Sequence, residues 1–256
     1  MDTFIEKQTL IDQARQRFDR ELHTDEYRKI HGDASHLEAL MNFLDVRPDK
    51  RYLDLGTGNG YLAFEMARRF PVIAVTGIDI AKQSIQINQK LRQEQGIKNL
   101  EFISYDGIRL PFGDALFGGV ISRSAFHHFP DAAAAAQELY RSTDAQGFVI
   151  ISDPITDEAD TVGFIDQFQK LKPDGHVHFF SAPELDALFQ QHGFTREAQF
   201  LSSISYPRDV DESYLRLFEK TPASILEKYC IMLQEKTIHT TVTVRNVLYR
   251  KAGNMR

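Results

Sequence analysis

Five short, nearly continuous apolar runs separated by turn residues and helical patterns constrain this chain more than any other feature. The runs are RYLDL (51–55), VIAVTGI (72–78), LEFIS (100–104), FGGVIS (117–122) and GFVIIS (147–152). Helical periodicity fills about 60–69, 81–95 and 130–142. The alanine-rich DAAAAAQELYR belongs to the last of these, because alanine is the strongest helix former. Strands apolar on both faces must be covered on both faces, and helices between them supply that cover. The expected fold class is α/β, with a doubly wound, mostly parallel seven-stranded sheet. Its last two strands are β-like segments at about 196–205 and 240–250.

The flanking regions read as helical additions. Residues 4 to about 28 carry an apolar stripe of Ile11, Ala14, Phe18 and Leu22 among charges, and HGDA at 31–34 interrupts it. Ser35 followed by Glu38 predicts a capping box opening a helix with Leu37, Leu40, Met41 and Leu44 inward. After residue 153 a helix is expected at about 157–171, a turn at 172–175 and a helix at 181–192. A long helical stretch is expected over about 210–236, with Ile225, Leu226, Tyr229 and Leu233 on one face. The reading is one domain over 1–256, with a ligand-binding core at about 35–153. Segments 1–34, 154–180 and 207–238 would form a cap on the acceptor side.

Charge and cysteine content narrow the partners. The net charge of −6 and the lack of a long Lys/Arg cluster argue against nucleic acid and anionic membranes. The lone Cys230 cannot form an intramolecular disulfide and rules out a multi-cysteine metal cage. It falls in the apolar pattern of a predicted helix, so a buried structural thiol is expected. MDTFIEKQTLIDQARQRFDR has acids and no apolar core, unlike a signal peptide, and no run reaches the ~18 apolar residues of a membrane span. A cytoplasmic protein is expected. Its oligomeric state stays open.

The stretch YLDLGTGNGYLAFEM, residues 52–66, places Gly56, Gly58 and Gly60 between the first strand and the next helix. Glycine there permits close approach of a ligand to the main chain. A dinucleotide fingerprint would need glycine at 61, where Tyr61 stands, so a pyrophosphate grip is poorly supported. Asp54 would be unwelcome beside phosphate. It suits a cationic amine, or it orders the loop. The second strand ends at Asp79, where a carboxylate can accept both hydroxyls of a ribose. The third ends in Tyr105-Asp106-Gly107, where an acid can accept from an exocyclic amine. The implied ligand is a nucleoside with an amino-acid-like tail.

On these residues the sequence resembles the class I S-adenosylmethionine-dependent methyltransferases, especially the small-molecule branch that includes ubiquinone- and menaquinone-biosynthesis-type enzymes. LDLGTGNG is similar to the first motif, GIDI to the acidic strand end, and YDGIRLPFGDALFGGVISRSAFHHFPD to later signatures. GFVIISDP and HFFSAPELDALFQQHGF extend the likeness, which covers about 35–195. The resemblance implies a Rossmann-like fold and S-adenosyl-L-methionine as cofactor. It places Gly56, Gly58 and Gly60 against the methionine part, with Asp54 and Thr57 in the same cofactor-binding loop. Asp79 would hold the ribose and Ile80 would lie against the adenine. Asp106 and Gly107 would face the adenine edge, with Ser122 and Arg123 near the methionine tail. Asp144-Ala145-Gln146-Gly147 replaces the usual Lys-Pro-Gly-Gly turn.

A sulfonium cofactor carries its own leaving group, so the protein must mainly position a nucleophile and, for some acceptors, remove a proton. His127 and His128, after the fourth strand, are the candidate catalytic residues, set against a role in loop shape. His176 and His178 have strand-like spacing and could wall a pocket; no third metal ligand is evident, and no metal is expected. His31 could close over the cofactor. Aromatics including Tyr27, Phe179, Phe180, Tyr206, Tyr214 and Phe218 could line an acceptor pocket or form core. The expected function is methyl transfer to a small-molecule acceptor with an O, N or C nucleophile. The alternatives are a non-catalytic sensor of S-adenosylmethionine or its product and, less well supported, a nicotinamide-dependent oxidoreductase.

Overall fold

A computed structural model describes residues 2–253. Three helices precede the sheet: α1 (Asp2–Glu21), α2 (Asp25–His31) and α3 (Ala34–Phe43). The single helix expected over 4–28 is interrupted because Thr24 takes an extended backbone. Its hydroxyl accepts from the Tyr27 N–H and starts α2 afresh. The stripe on α1 is inward, with Ile11, Ala14 and Leu22 buried. The capping box expected at Ser35–Glu38 does not form. Asp33 caps α3 instead, accepting from the backbone of Ser35 and His36, while Glu38 pairs with Arg69 at 2.6 Å. A short carboxylate already in place at the helix start is the stronger acceptor.

The alternating core follows as β1 (Arg51–Leu55), α4 (Tyr61–Arg69), β2 (Ala74–Asp79), α5 (Lys82–Glu94), β3 (Leu100–Ser104), β4 (Phe117–Arg123), α6 (Ala132–Ser142) and β5 (Thr143–Pro154). Then come α7 (Phe164–Lys170), α8 (Ala182–Gln191), β6 (Phe194–Asp209), α9 (Glu212–Lys220), α10 (Ala223–Lys228), β7 (Met232–Gln234) and β8 (Thr237–Lys251). Strand order is β3-β2-β1-β4-β5-β8-β6, with the short β7 added beside β8. The first five strands pair in parallel, whereas β8 runs antiparallel to β5 and β6. This is the expected doubly wound, mostly parallel sheet with one short strand more.

Each apolar run feeds two cores at once. Tyr52, Val75, Ile121 and Ile150 pack on one face of the sheet, and Leu53, Leu55, Val120, Val149 and Ile151 on the other. That two-sided burial is why the inner runs lack polar alternation, whereas LEFIS at the sheet edge alternates buried and more exposed residues.

The late region departs most from expectation. The helix expected over 157–171 is confined to α7. The Asp160 carboxylate accepts from Phe164 and Ile165 N–H at 2.8 and 3.0 Å and turns the preceding residues into a loop. HVHFF is not a strand. The continuous helix expected over 210–236 is two short helices and β7. Leu233, expected inward, is exposed on β7, and Cys230 is exposed at a positive φ of 47° just beyond α10. The expected buried thiol is therefore corrected. β6 and β8 pair from Phe194↔Lys251 to Asp209↔Thr237, further than the two late segments predicted. A third apolar cluster, including Phe164, Phe168, Tyr206, Tyr214, Ile225 and Tyr229, packs α7, α9 and α10 onto this strand pair. Among the described residues no helix is long and apolar enough to cross a membrane.

Candidate active site

The strand order reverses at β1, which has β2 on one side and β4 on the other. Connections leave in opposite directions there, so a crevice opens beyond the carboxyl ends of the strands. A cavity of about 460 Å³ occupies it, within the range of small-molecule sites.

The glycine loop forms one wall. Gly56 and Thr57 both donate their N–H to the Ile78 carbonyl at 2.9 Å, tying the loop to the end of β2. Gly56 has φ +73°, and a Cβ there would lie 2.4 Å from the Ala125 Cβ, so only glycine fits. The Gly58 N–H donates to the Asp79 carboxylate at 2.8 Å, and its carbonyl accepts from Ser84 and Asn88 on α5. The loop is thus braced before any ligand arrives.

Asp54 is buried at 2% exposure; one oxygen accepts from the Thr57 hydroxyl at 2.6 Å and the Ala63 N–H at 3.1 Å. Burial pushes its carboxyl up to about 7, against the opposing hydrogen bonds. Both roles weighed from the sequence are compatible with this placement, since Asp54 orders the loop and also lines the cavity. Asp79 lines it too, with its second oxygen accepting from Ala81 N–H at 2.9 Å; burial raises its carboxyl as well.

Of the other expected cofactor residues, Thr57, Ile80, Gly107 and Arg123 line this cavity. Three do not. Gly60 starts α4, where Phe64 and Phe102 crowd it. Asp106 is exposed, its carboxylate accepting from the backbone of Ile108 and Arg109, and Tyr105 and Gly107 form the wall there. Ser122 is fully buried with no partner for its hydroxyl.

Helices α1 and α2 and the turn between them roof the crevice through Ile11, Ala14, Phe18, Leu22 and Tyr27. Arg123 pins that roof, donating to the His31 carbonyl at 2.6 Å while its guanidinium lies 5.1 Å from the Tyr61 ring centre. His31 stacks on Tyr27 at 4.2 Å and lines the cavity. Burial, helped by nearby Arg123, pushes His31 down to about 3, so it is neutral.

A second cavity of about 400 Å³ adjoins the first, and Phe18, Tyr27, His31, Ser124 and His128 line both. The two adjacent histidines part company here. His127 lines only the second cavity, and Asp153 at the end of β5 holds it. The Asp153 carboxylate accepts the His127 backbone N–H at 2.9 Å and lies 3.1 Å from Nδ1. His128 sits between the cavities, its proton affinity driven well down by burial and then by His127. His176 and His178 meet at Asp166 instead, at 2.8 and 2.5 Å, and neither lines these two cavities. Asp153 escaped the sequence reading, although its place at a strand end in GFVIISDP was a usable signal.

Comparison with known proteins agrees with this geometry. The family model described as a methyltransferase domain matches residues 47–193. An uncharacterized methyltransferase, YcgJ of Bacillus subtilis, is 29% identical over 175 residues, covering 66% of this chain and 66% of that protein. A demethylmenaquinone methyltransferase of Thermus thermophilus is 34% identical over 102 residues, covering 40% of this chain and 46% of the relative. The matched segments thus span less than two thirds of these relatives' lengths. The crystal structure of the Bacillus YcgJ protein superposes with a TM-score of 0.74 at 21% identity, covering 86% of this chain and 99% of that one. A SAM-dependent methyltransferase structure from Methanosarcina mazei gives 0.58 at 15% identity, covering 84% and 98%. At these identities the structural likeness is one of fold.

The chain belongs to the methyltransferase-domain family. Its fold is that of the class I S-adenosylmethionine-dependent methyltransferases.

Proposed function

We propose that this protein transfers the methyl group of S-adenosylmethionine to a small-molecule acceptor through an O, N or C nucleophile. The observation that carries the reading is the wall shared by the two cavities, with His128 between them and the His127–Asp153 pair on the second side. One cavity has the bare loop and buried acids of a nucleoside site. The other has room for an acceptor beside it. The demethylmenaquinone methyltransferase relative supports a small-molecule acceptor.

The first cavity fits the cofactor by its donor set, which offers bare backbone at Gly56 and Gly58 and carboxylates at Asp54 and Asp79. When bound, S-adenosylmethionine supplies an electrophilic methyl on a sulfonium. In our reading Asp79 accepts from the ribose hydroxyls, Ile80 and Gly107 sandwich the adenine, and Asp54 with Arg123 faces the methionine tail. Asp106 and Ser122 have less support, because neither lines the cavity. Helices α1 and α2 exclude water from above. His127, fixed through Nδ1 by Asp153, presents Nε2 as the base for an acceptor proton, an arrangement known from other His–Asp pairs. His128, uncharged, shapes the passage between the cavities.

Titration calorimetry and thermal melts with S-adenosylhomocysteine and with nicotinamide dinucleotides test this. The nucleoside product at ~100 times its Kd should add ~2.7 kcal/mol of stability. Asp79→Ala should abolish most of that gain. Stabilisation by a dinucleotide alone would overturn the reading. Tight cofactor binding without transfer to any acceptor class would favour a sensor.

A further inference from the structure

The second cavity carries a chemical bias. Four residues that line it, Arg17, His31, His128 and Arg208, each hold a buried nitrogen with no hydrogen-bond partner. Two of these are guanidinium Nε atoms, which can only donate.

The charges around the cavity single out one cation. Arg17 pairs with Glu21, and Lys172 pairs with Glu21 and Asp174 at 3.6 and 3.2 Å. Glu26 and Asp209 are exposed at the rim. Arg208 faces the same space from β6. Its Nη1 donates to the Pro207 carbonyl at 3.2 Å and its Nη2 to the Gln169 amide oxygen at 3.3 Å, both uncharged acceptors. Among the described residues no carboxylate pairs with it. Its guanidinium lies 4.5 Å from the ring centre of Tyr206, a buried side chain that fixes its orientation. Phe18, Tyr27 and Phe179 supply apolar wall to the cavity that Arg208 and the histidines also line.

We propose that the methyl acceptor is a small carboxylic acid with an apolar, ring-sized body, gripped at its carboxylate by Arg208 while its nucleophile faces His127. This rests on the methyl-transfer reading above. Guanidinium is the side chain best suited to a carboxylate, and Arg208 lines the ligand space with no carboxylate of the described residues already bound to it.

The test titrates hydroxybenzoates, their methyl esters and the matching hydroxybenzylamines into protein saturated with S-adenosylhomocysteine, for wild type and Arg208→Gln. Wild type should bind the acids about 10- to 100-fold more tightly than the esters, the range of a charge-assisted hydrogen bond. Arg208→Gln should erase that preference while leaving the affinity for S-adenosylhomocysteine unchanged. Esters or amines binding as well as the acids, no compound of the panel binding, or a preference that survives in Arg208→Gln would each overturn the proposal. Failure to bind S-adenosylhomocysteine at all would instead overturn the cofactor reading, so the two failures are distinguishable.

Discussion

Replacing Asp54 by asparagine removes one buried charge while leaving the volume nearly unchanged. The carboxyl is held at about 7 by burial, against an ordinary value of 3.8, a gap of about 3. At ~1.4 kcal/mol per pH unit this is about 4 kcal/mol of native-state cost once the group is ionised. A raised native pKa means that the folded protein holds the proton more tightly than the unfolded chain. Its stabilising effect is full below pH 3.8 and is lost as pH rises towards 7. An asparagine side chain can keep both hydrogen bonds, because the Thr57 hydroxyl and the Ala63 N–H donate to the same oxygen. Urea unfolding of cofactor-free protein should therefore show Asp54→Asn gaining on wild type from about pH 4 to about pH 8, by up to ~4 kcal/mol. The assay requires equal m-values, so that midpoints report stability alone. If wild type and mutant run parallel across that interval, burial does not control Asp54 and the reasoning fails. Cofactor binding adds a check: should the carboxylate meet a cationic amine, wild-type affinity for S-adenosylhomocysteine rises through this window and that of the mutant stays flat.

Gly56→Ala combines a left-handed backbone with a 2.4 Å approach to the Ala125 side chain, so thermal melts should show a loss of ~2–4 kcal/mol without ligand; a change inside experimental error would mean the loop is not braced as described. His127→Asn and Asp153→Asn should each cut turnover, the first by ~10²–10⁴-fold, while calorimetry finds S-adenosylhomocysteine bound as before. Parallel losses of binding and turnover would demote the pair to loop structure. Cys230, exposed beyond α10, should react with an aromatic disulfide reagent in the native state at a rate little changed by denaturant. A thiol that titrates only on unfolding would restore the buried reading.

The local chemistry of this fold was legible in the sequence. β1 and β3 fall on the runs read from it, β1 because an inner strand covered on both faces is largely apolar and β3 because its buried Leu100 and Phe102 alternate with more exposed residues at the sheet edge. Gly56, Gly58 and Asp79 were identifiable as loop and strand-end residues for the same local reason. Cap geometry was harder: Asp33 displaced Ser35, and Asp160 shortened the next helix, each through a side chain competing for the same N–H groups. Asp106 was placed correctly in the chain, but its own turn directs the carboxylate outward. What only tertiary structure decided is which distant residues meet. Asp153 reaches His127 across 26 positions, and Arg123 reaches the His31 carbonyl across 92. Arg208 became a candidate solely because β6 extends far enough along β8 to carry it to the cavity. Such encounters depend on strand order and on the length of a pairing, and neither is written in the periodicity of any one segment.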